Sequence, residues 1–160
     1  HGASAFVILT RGREVPERDL YEVATVAASY SKAWKAGLSS VDVFWVYGEQ
    51  VSLSAPPGEY LPRGSFMVYG HKNFIRGVRL ALGIGVVYVD DGYDVVVGSP
   101  ELVASRAVAY VTVVPGDSSV EEASREIRDY LVQRCPDVRG LAAHDIAKLL
   151  PGRVSVIYRG

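Results

Sequence analysis

Only one cysteine, Cys135, occurs in the 160 residues. One thiol can neither close an internal disulfide nor build a thiolate zinc site, so a reducing, cytoplasmic compartment is expected. Histidine is equally scarce: His1, His71 and His144 show no metal-ligand spacing with Cys135 or with one another. The acidic run Asp90, Asp91 and Asp94 reads as a hairpin tip rather than a cation site. No metal and no cofactor are therefore expected. No apolar stretch approaches the roughly 20 residues of a membrane span, which argues against a membrane partner. No leader segment is visible, and the chain opens at His1, so it is read as part of a longer protein. Charge of one sign is lacking as well. The net charge is -1, which excludes nucleic-acid binding through bulk charge alone. Any such contact must come from a local patch. Catalytic signatures are missing too. Gly83-Ile84-Gly85 is followed by Val86 and Val87, so these glycines lie in a strand and do not open a dinucleotide-binding helix. There is no phosphate loop and no nucleophile elbow, and no catalytic residue is expected.

What the chain does have is a hydrophobic fraction of 49%, enough for a substantial interior, with 22% charged residues. Residues 4–10 form a short apolar run that reads as a buried strand, followed by an Arg11-Gly12-Arg13 turn. Pro16 suits the first turn of a helix, expected over residues 16–35 with Gly37 as its stop. Its periodic face (Leu20, Val23, Ala24, Ala27, Ser31, Trp34) is mostly small, so this helix is expected to lie close on a sheet. Residues 41–47 read as a strand, 50–53 as extended, and 54–64 as a long irregular loop rich in Pro and Gly. Strands follow over 65–69 and 79–89, and Asp90-Asp91-Gly92 marks a hairpin into a strand over 93–97. The second half reads as a short helix over 100–106 and a strand over 107–114. Next comes a helix capped by Ser118 or Ser119 and ended by Pro136, then a helix over 141–150 and a strand over 153–158. Capping is also the simpler reading of Pro115-Gly116-Asp117-Ser118, since Asp117 would repel an anion. The predicted class is α/β (α+β): a mixed β-sheet with packed helices and a C-terminal strand-helix-helix-strand crossover.

Chemistry concentrates in one window. Residues 61–89 contain no Asp or Glu, but hold Arg63, Lys72, Arg76 and Arg79, with His71 beside them. Tyr60, Phe66, Tyr69 and Phe74 are interleaved, and Gly58, Gly64, Gly70 and Gly77 let a backbone approach a ligand. Cations neutralise phosphates, and aromatic faces and guanidinium planes stack on unpaired bases. The competing reading is a solvated strand edge guarded by cations, with Phe66 and Phe74 in the core. A second basic cluster, Arg11, Arg13, Lys32 and Lys35, has the simpler reading of two separate solvated ends.

Three stretches carry a resemblance. They are His1-Gly2-Ala3-Ser4; Ala28-Ser29-Tyr30-Ser31-Lys32-Ala33-Trp34; and a third, longer series. The third runs through Trp45-Val46-Tyr47, Gln50-Val51-Ser52, Ala55-Pro56-Pro57-Gly58-Glu59-Tyr60, Gly64-Ser65-Phe66-Met67 and Lys72-Asn73-Phe74. Together they resemble the RNA-binding domain of NFACT proteins in its archaeal and eukaryotic form. Gly98-Ser99-Pro100, Pro115-Gly116-Asp117 and Leu150-Pro151-Gly152 are similar to the C-terminal extension of the archaeal ribosome quality control members. The resemblance implies an N-terminally truncated RNA-binding core over residues 1–76 and an α/β extension over 77–160 that shares its core. It implies a cytoplasmic module contacting transfer RNA and ribosomal RNA of the large subunit at stalled nascent chains, alongside the remaining domains of a longer NFACT protein. Those domains are a family N-terminal domain, a helix-hairpin-helix and a coiled coil. The RNA-binding residues implied are His1, Gly2, Lys32, Tyr60, Arg63, Gly64, His71, Lys72, Asn73, Phe74, Arg76 and Arg79. The alternative is a protein-interaction scaffold without direct RNA contact. It draws on the charge split: nine cations against seven acids before Asp90, but eight against eleven from Asp90 onward.

Overall fold

A computed structural model describes residues 5–53, 58 and 66–158. Among them, helix α1 (Glu17–Ser29) lies on a two-stranded ribbon of β1 (Ser40–Trp45) and β4 (Asn73–Arg79). A 3₁₀ turn at Gly48–Gln50 and a minimal pair, β2 (Val51–Ser52) with β3 (Met67–Val68), sit between them in sequence. The larger sheet has the order β6-β5-β7-β8, from β5 (Leu82–Val89), β6 (Gly92–Gly98), β7 (Ala109–Ser118) and β8 (Val154–Tyr158). Helices α2 (Pro100–Arg106), α3 (Val120–Arg134) and α4 (Ala143–Ala147) complete the set.

The α/β class is as expected, but every strand pair described is antiparallel. The expected strand-helix-helix-strand order is found in β7, α3, α4 and β8, and only the mixed pairing with a parallel crossover is corrected. β7 and β8 are direct antiparallel neighbours, and α3 and α4 fill the connection between them. A crossover is needed only when the returning strand runs parallel. Strand order in the chain cannot reveal that direction.

Helix α1 ends at Ser29, six residues before the predicted last helical residue, Lys35. The Ser31 hydroxyl donates to the Ala28 carbonyl (2.6 Å) and the Ser29 hydroxyl to the Thr25 carbonyl (2.7 Å). Such side chains compete with the backbone for helical carbonyls. The following turns carry Trp34, whose indole Nε1 donates to the Arg153 carbonyl (2.9 Å), and Gly37 reverses the chain at φ 75°. Ala24, Thr25, Ala28 and Ser29 make the buried face, so the stripe is rotated from the one predicted. Its small size allows the close approach that was expected. Ser29 Oγ accepts from the Ala81 amide (3.0 Å) and sits 3.1 Å from the Ala81 carbonyl.

Residues 5–10 do not form the predicted buried strand. Phe6, Val7 and Leu9 are exposed, and the run pairs with no described strand. Apolar composition signals a need for burial, yet a strand exists only where a neighbour completes its ladder. The turn after it is as predicted, closed by the Arg13 amide on the Thr10 carbonyl (3.0 Å).

One apolar cluster joins Ala24, Ala28 and Trp34 to Val78, Leu82, Ile84, Val111, Ile127, Ile146 and Val154. Both faces of β5 are covered. Leu82, Ile84 and Val86 point into this cluster, while Gly83 and Gly85 lie under α2. The glycines thus serve close helix-on-sheet packing, as their strand context implied. Ser119 caps α3 by accepting from the Glu122 amide (3.1 Å), also as expected.

Candidate nucleic-acid interface

The alternation Val41-Asp42-Val43-Phe44 makes a strand with two faces. Val41 and Val43 pack toward the core, leaving Asp42 and Phe44 outside. On β4, Ile75 turns inward while Phe74 and Arg76 point out. The register sets Phe44 directly opposite Phe74. The two rings lie 5.9 Å apart at 59° and remain 40% and 49% exposed, far too open for core residues.

Cations flank this ring pair. Lys72 Nζ sits 4.7 Å from the Phe44 centroid, and the Arg76 guanidinium carbon 4.3 Å from the Phe74 centroid. Both are within cation–π range, worth about 0.5–1 kcal/mol each at exposed sites. The outward face therefore reads Lys72, Phe44, Phe74, Arg76.

A bulge ends the strip. Arg76 and Gly77 on β4 oppose the single residue Asp42 on β1, and Gly77 takes φ 65°. Glycine adopts that conformation without a Cβ clash, and a bulge re-aims neighbouring side chains. Here it turns the Gly77 amide onto Asp42 Oδ1 (2.9 Å), while Arg76 donates to Asp42 Oδ2 (2.8 Å). The Gly77 amide and then Arg76 hold the Asp42 carboxyl below its ordinary pKa. The acid-free window in the sequence is thus not acid-free in space, because strand pairing brings Asp42 to Arg76.

A second device fixes the approach to the strip. Gln50 accepts from the Tyr47 amide (2.9 Å) and donates to the Tyr69 and His71 carbonyls (both 2.8 Å). This pins residues 69–71, just ahead of Lys72, to the Gly48–Gln50 turn. Tyr47 and Tyr69 are exposed nearby in sequence, and Trp45 meets Tyr47 edge-on at 5.3 Å.

The predicted site residues thus divide. Lys72, Phe74 and Arg76 share one surface. His71 is exposed on the pinned segment, and Arg79 is exposed past the bulge, opposite Ser40. Asn73 is half-buried, its amide directed to the Trp45 carbonyl (3.4 Å). Lys32 is exposed on the turn that Trp34 anchors to Arg153, and it takes no part in the strip's ring contacts. His1, Gly2, Tyr60, Arg63 and Gly64 lie outside the described residues, as does nearly all of the 54–64 loop. Phe44, Asp42 and Gln50 were missed. The alternation in β1 marks Asp42 and Phe44 as outward, but their neighbours are some thirty residues away in sequence.

No group of three or more His, Cys, Asp or Glu side chains among the described residues is arranged to hold a metal ion. No helix among them is long and apolar enough to cross a membrane.

Residues 1–70 match the NFACT protein RNA binding domain. The archaeal Rqc2 homolog aRqcH of Methanocaldococcus jannaschii is 33% identical over 150 residues, covering 94% of this chain and 22% of that protein. The ribosome quality control complex subunit NEMF of Homo sapiens is 44% identical over 92 residues, 57% of this chain and 8% of that protein. Ribosome quality control complex subunit 2 of Schizosaccharomyces pombe is 34% identical over 74 residues, 46% of this chain and 7% of that protein. The chain spans less than a quarter of the length of each of these relatives.

Proposed function

Because this chain belongs to the NFACT family, whose RNA-binding domain it carries, we propose that it is the RNA-binding module of a ribosome-associated quality control factor. In this reading it contacts transfer RNA and large-subunit ribosomal RNA at stalled nascent chains, in the cytoplasm, together with the other domains of a longer protein. It binds and does not catalyse. The observation that carries the reading is the strip of Lys72, Phe44, Phe74 and Arg76 on the outer face of the ribbon. An exposed ring pair flanked by cations suits RNA, which offers both phosphates and base faces. Lys72 is the phosphate contact.

Binding of labelled transfer RNA to the chain by fluorescence anisotropy, over a salt series and against duplex DNA, tests this. Saturable binding that prefers RNA and weakens with salt is expected. Lys72→Glu is expected to lower affinity and to flatten the dependence of log K on log salt by about one contact. Unchanged affinity and slope in that variant would remove the strip from the interface.

The acid excess from Asp90 onward favours a second reading, a docking face for a protein partner. An open groove of about 580 Å³ lies between the β5–β6 hairpin and the Pro136–Val138 turn, with Asp91, Asp94 and Asp137 among its lining. A protein partner retained after nuclease treatment would support it, and loss of the partner would count against it.

A further inference from the structure

Arg76 differs from Lys72 in what it has left to offer. Its NH1 is engaged with Asp42 Oδ2 at 2.8 Å, and its guanidinium sits over the Phe74 ring. Asp42 is itself held by the Gly77 amide at the bulge, so the guanidinium is braced from the side and from below. Its side chain nonetheless remains 70% exposed. A carboxylate beside it opposes a second anion at the same edge. What stays open is the outer face of a flat, delocalised cation. Flat guanidinium planes and aromatic faces are the surfaces on which unpaired bases stack.

We infer that Arg76 is a stacking surface for an unpaired nucleobase, not a phosphate clamp, and that the ribbon face selects single-stranded RNA over a duplex. Phe74 backs the guanidinium, Asp42 fixes its position, and Phe44 widens the platform. Lys72, which enters none of the described ion pairs, takes the neighbouring phosphate. A duplex keeps its base faces inside the stack and offers this surface only phosphates and groove edges. The inference rests on the RNA-binding reading above and specifies the ligand of the same face.

The probe is an oligoadenylate of about ten nucleotides, the span a small single-strand platform covers, carrying 2-aminopurine, whose fluorescence is quenched by stacking. A blunt RNA duplex of equal length is the comparison. Arg76→Lys keeps the charge and the reach to Asp42 but removes the plane. Phe74→Leu keeps an apolar side chain but removes the ring beneath it. Both positions are exposed, and an unchanged melting temperature establishes that each variant is folded. Each variant is expected to weaken single-strand binding about tenfold, to abolish the quenching, and to leave the salt slope unchanged. An Arg76→Lys chain that binds as tightly as the parent overturns the inference, as does equal affinity of the parent for the duplex. In either case RNA binding itself still stands. A parent chain that binds neither RNA removes the RNA-binding reading together with this one.

Discussion

At the scale of single residues, Asp42 has the most consequences. It braces Arg76, accepts from the Gly77 amide, and stabilises the bulge that aims both. Its carboxyl titrates below the ordinary value of 3.8, first through the Gly77 hydrogen bond and then through Arg76. A carboxyl with a depressed native pKa adds stability that is fully present above its unfolded pKa and lost as pH falls through the native one. Asp42→Asn is therefore expected to be less stable than the parent at neutral pH. The difference is expected to close as pH drops below about 4, the unfolded carboxylate range. Urea denaturation at several pH values checks this, and a gap that stays constant into acid would show that the charge on Asp42 is not what stabilises the bulge. Phe44 and Phe74 belong to the same scale. Each was within reach of sequence reasoning as a side chain, but only their cross-strand register makes them one surface.

At the scale of elements, the packing of α2 on β5 decides how the larger sheet is covered. A Cβ at Gly85 would lie 2.7 Å from Ala107 Cβ and 2.8 Å from Val103 Cγ1, closer than side-chain carbons tolerate. Gly85→Ala is expected to cost about 1–3 kcal/mol as α2 is pushed off the sheet. Gly140 is the control. A Cβ there meets nothing within 4 Å, and its φ is ordinary, so Gly140→Ala is expected within about 0.5 kcal/mol of the parent. Equal stability of the two variants in urea denaturation would mean that α2 yields without cost. The strand assignment of Gly83 and Gly85 was legible from the valines that follow them. The reason for glycine was not, because α2 comes from a separate stretch of chain. The early end of α1 has the same character: helical periodicity continues past Ser29, but two serine hydroxyls and the pull on Trp34 stop the helix first.

For the whole molecule, Trp34 joins the N-terminal and C-terminal halves. It is 2% exposed, packs in the common core, and donates to the Arg153 carbonyl 119 residues away. Tyr30 adds a parallel tie through its hydroxyl to the Leu149 carbonyl at 2.6 Å. Such a core predicts one cooperative transition, with tryptophan emission and far-ultraviolet circular dichroism coinciding. Trp34→Ala is expected to cost about 3–5 kcal/mol. Two separated transitions in the parent would mean that the halves fold apart.

The residues by themselves determined the α/β class, the turns, the capped helix α3 and the location of the cationic and aromatic residues, because each follows from local propensity or periodicity. Tertiary structure alone decided that the strands pair antiparallel, that residues 5–10 find no described ladder, and that Asn73 turns inward. It also decided that Asp42 and Phe44 complete the strip with Lys72, Phe74 and Arg76. The physical reason is range. Periodicity reports which way a side chain points within its own element, whereas a charge is neutralised and a ring is paired by whatever the register brings alongside, and register is set by contacts between distant segments.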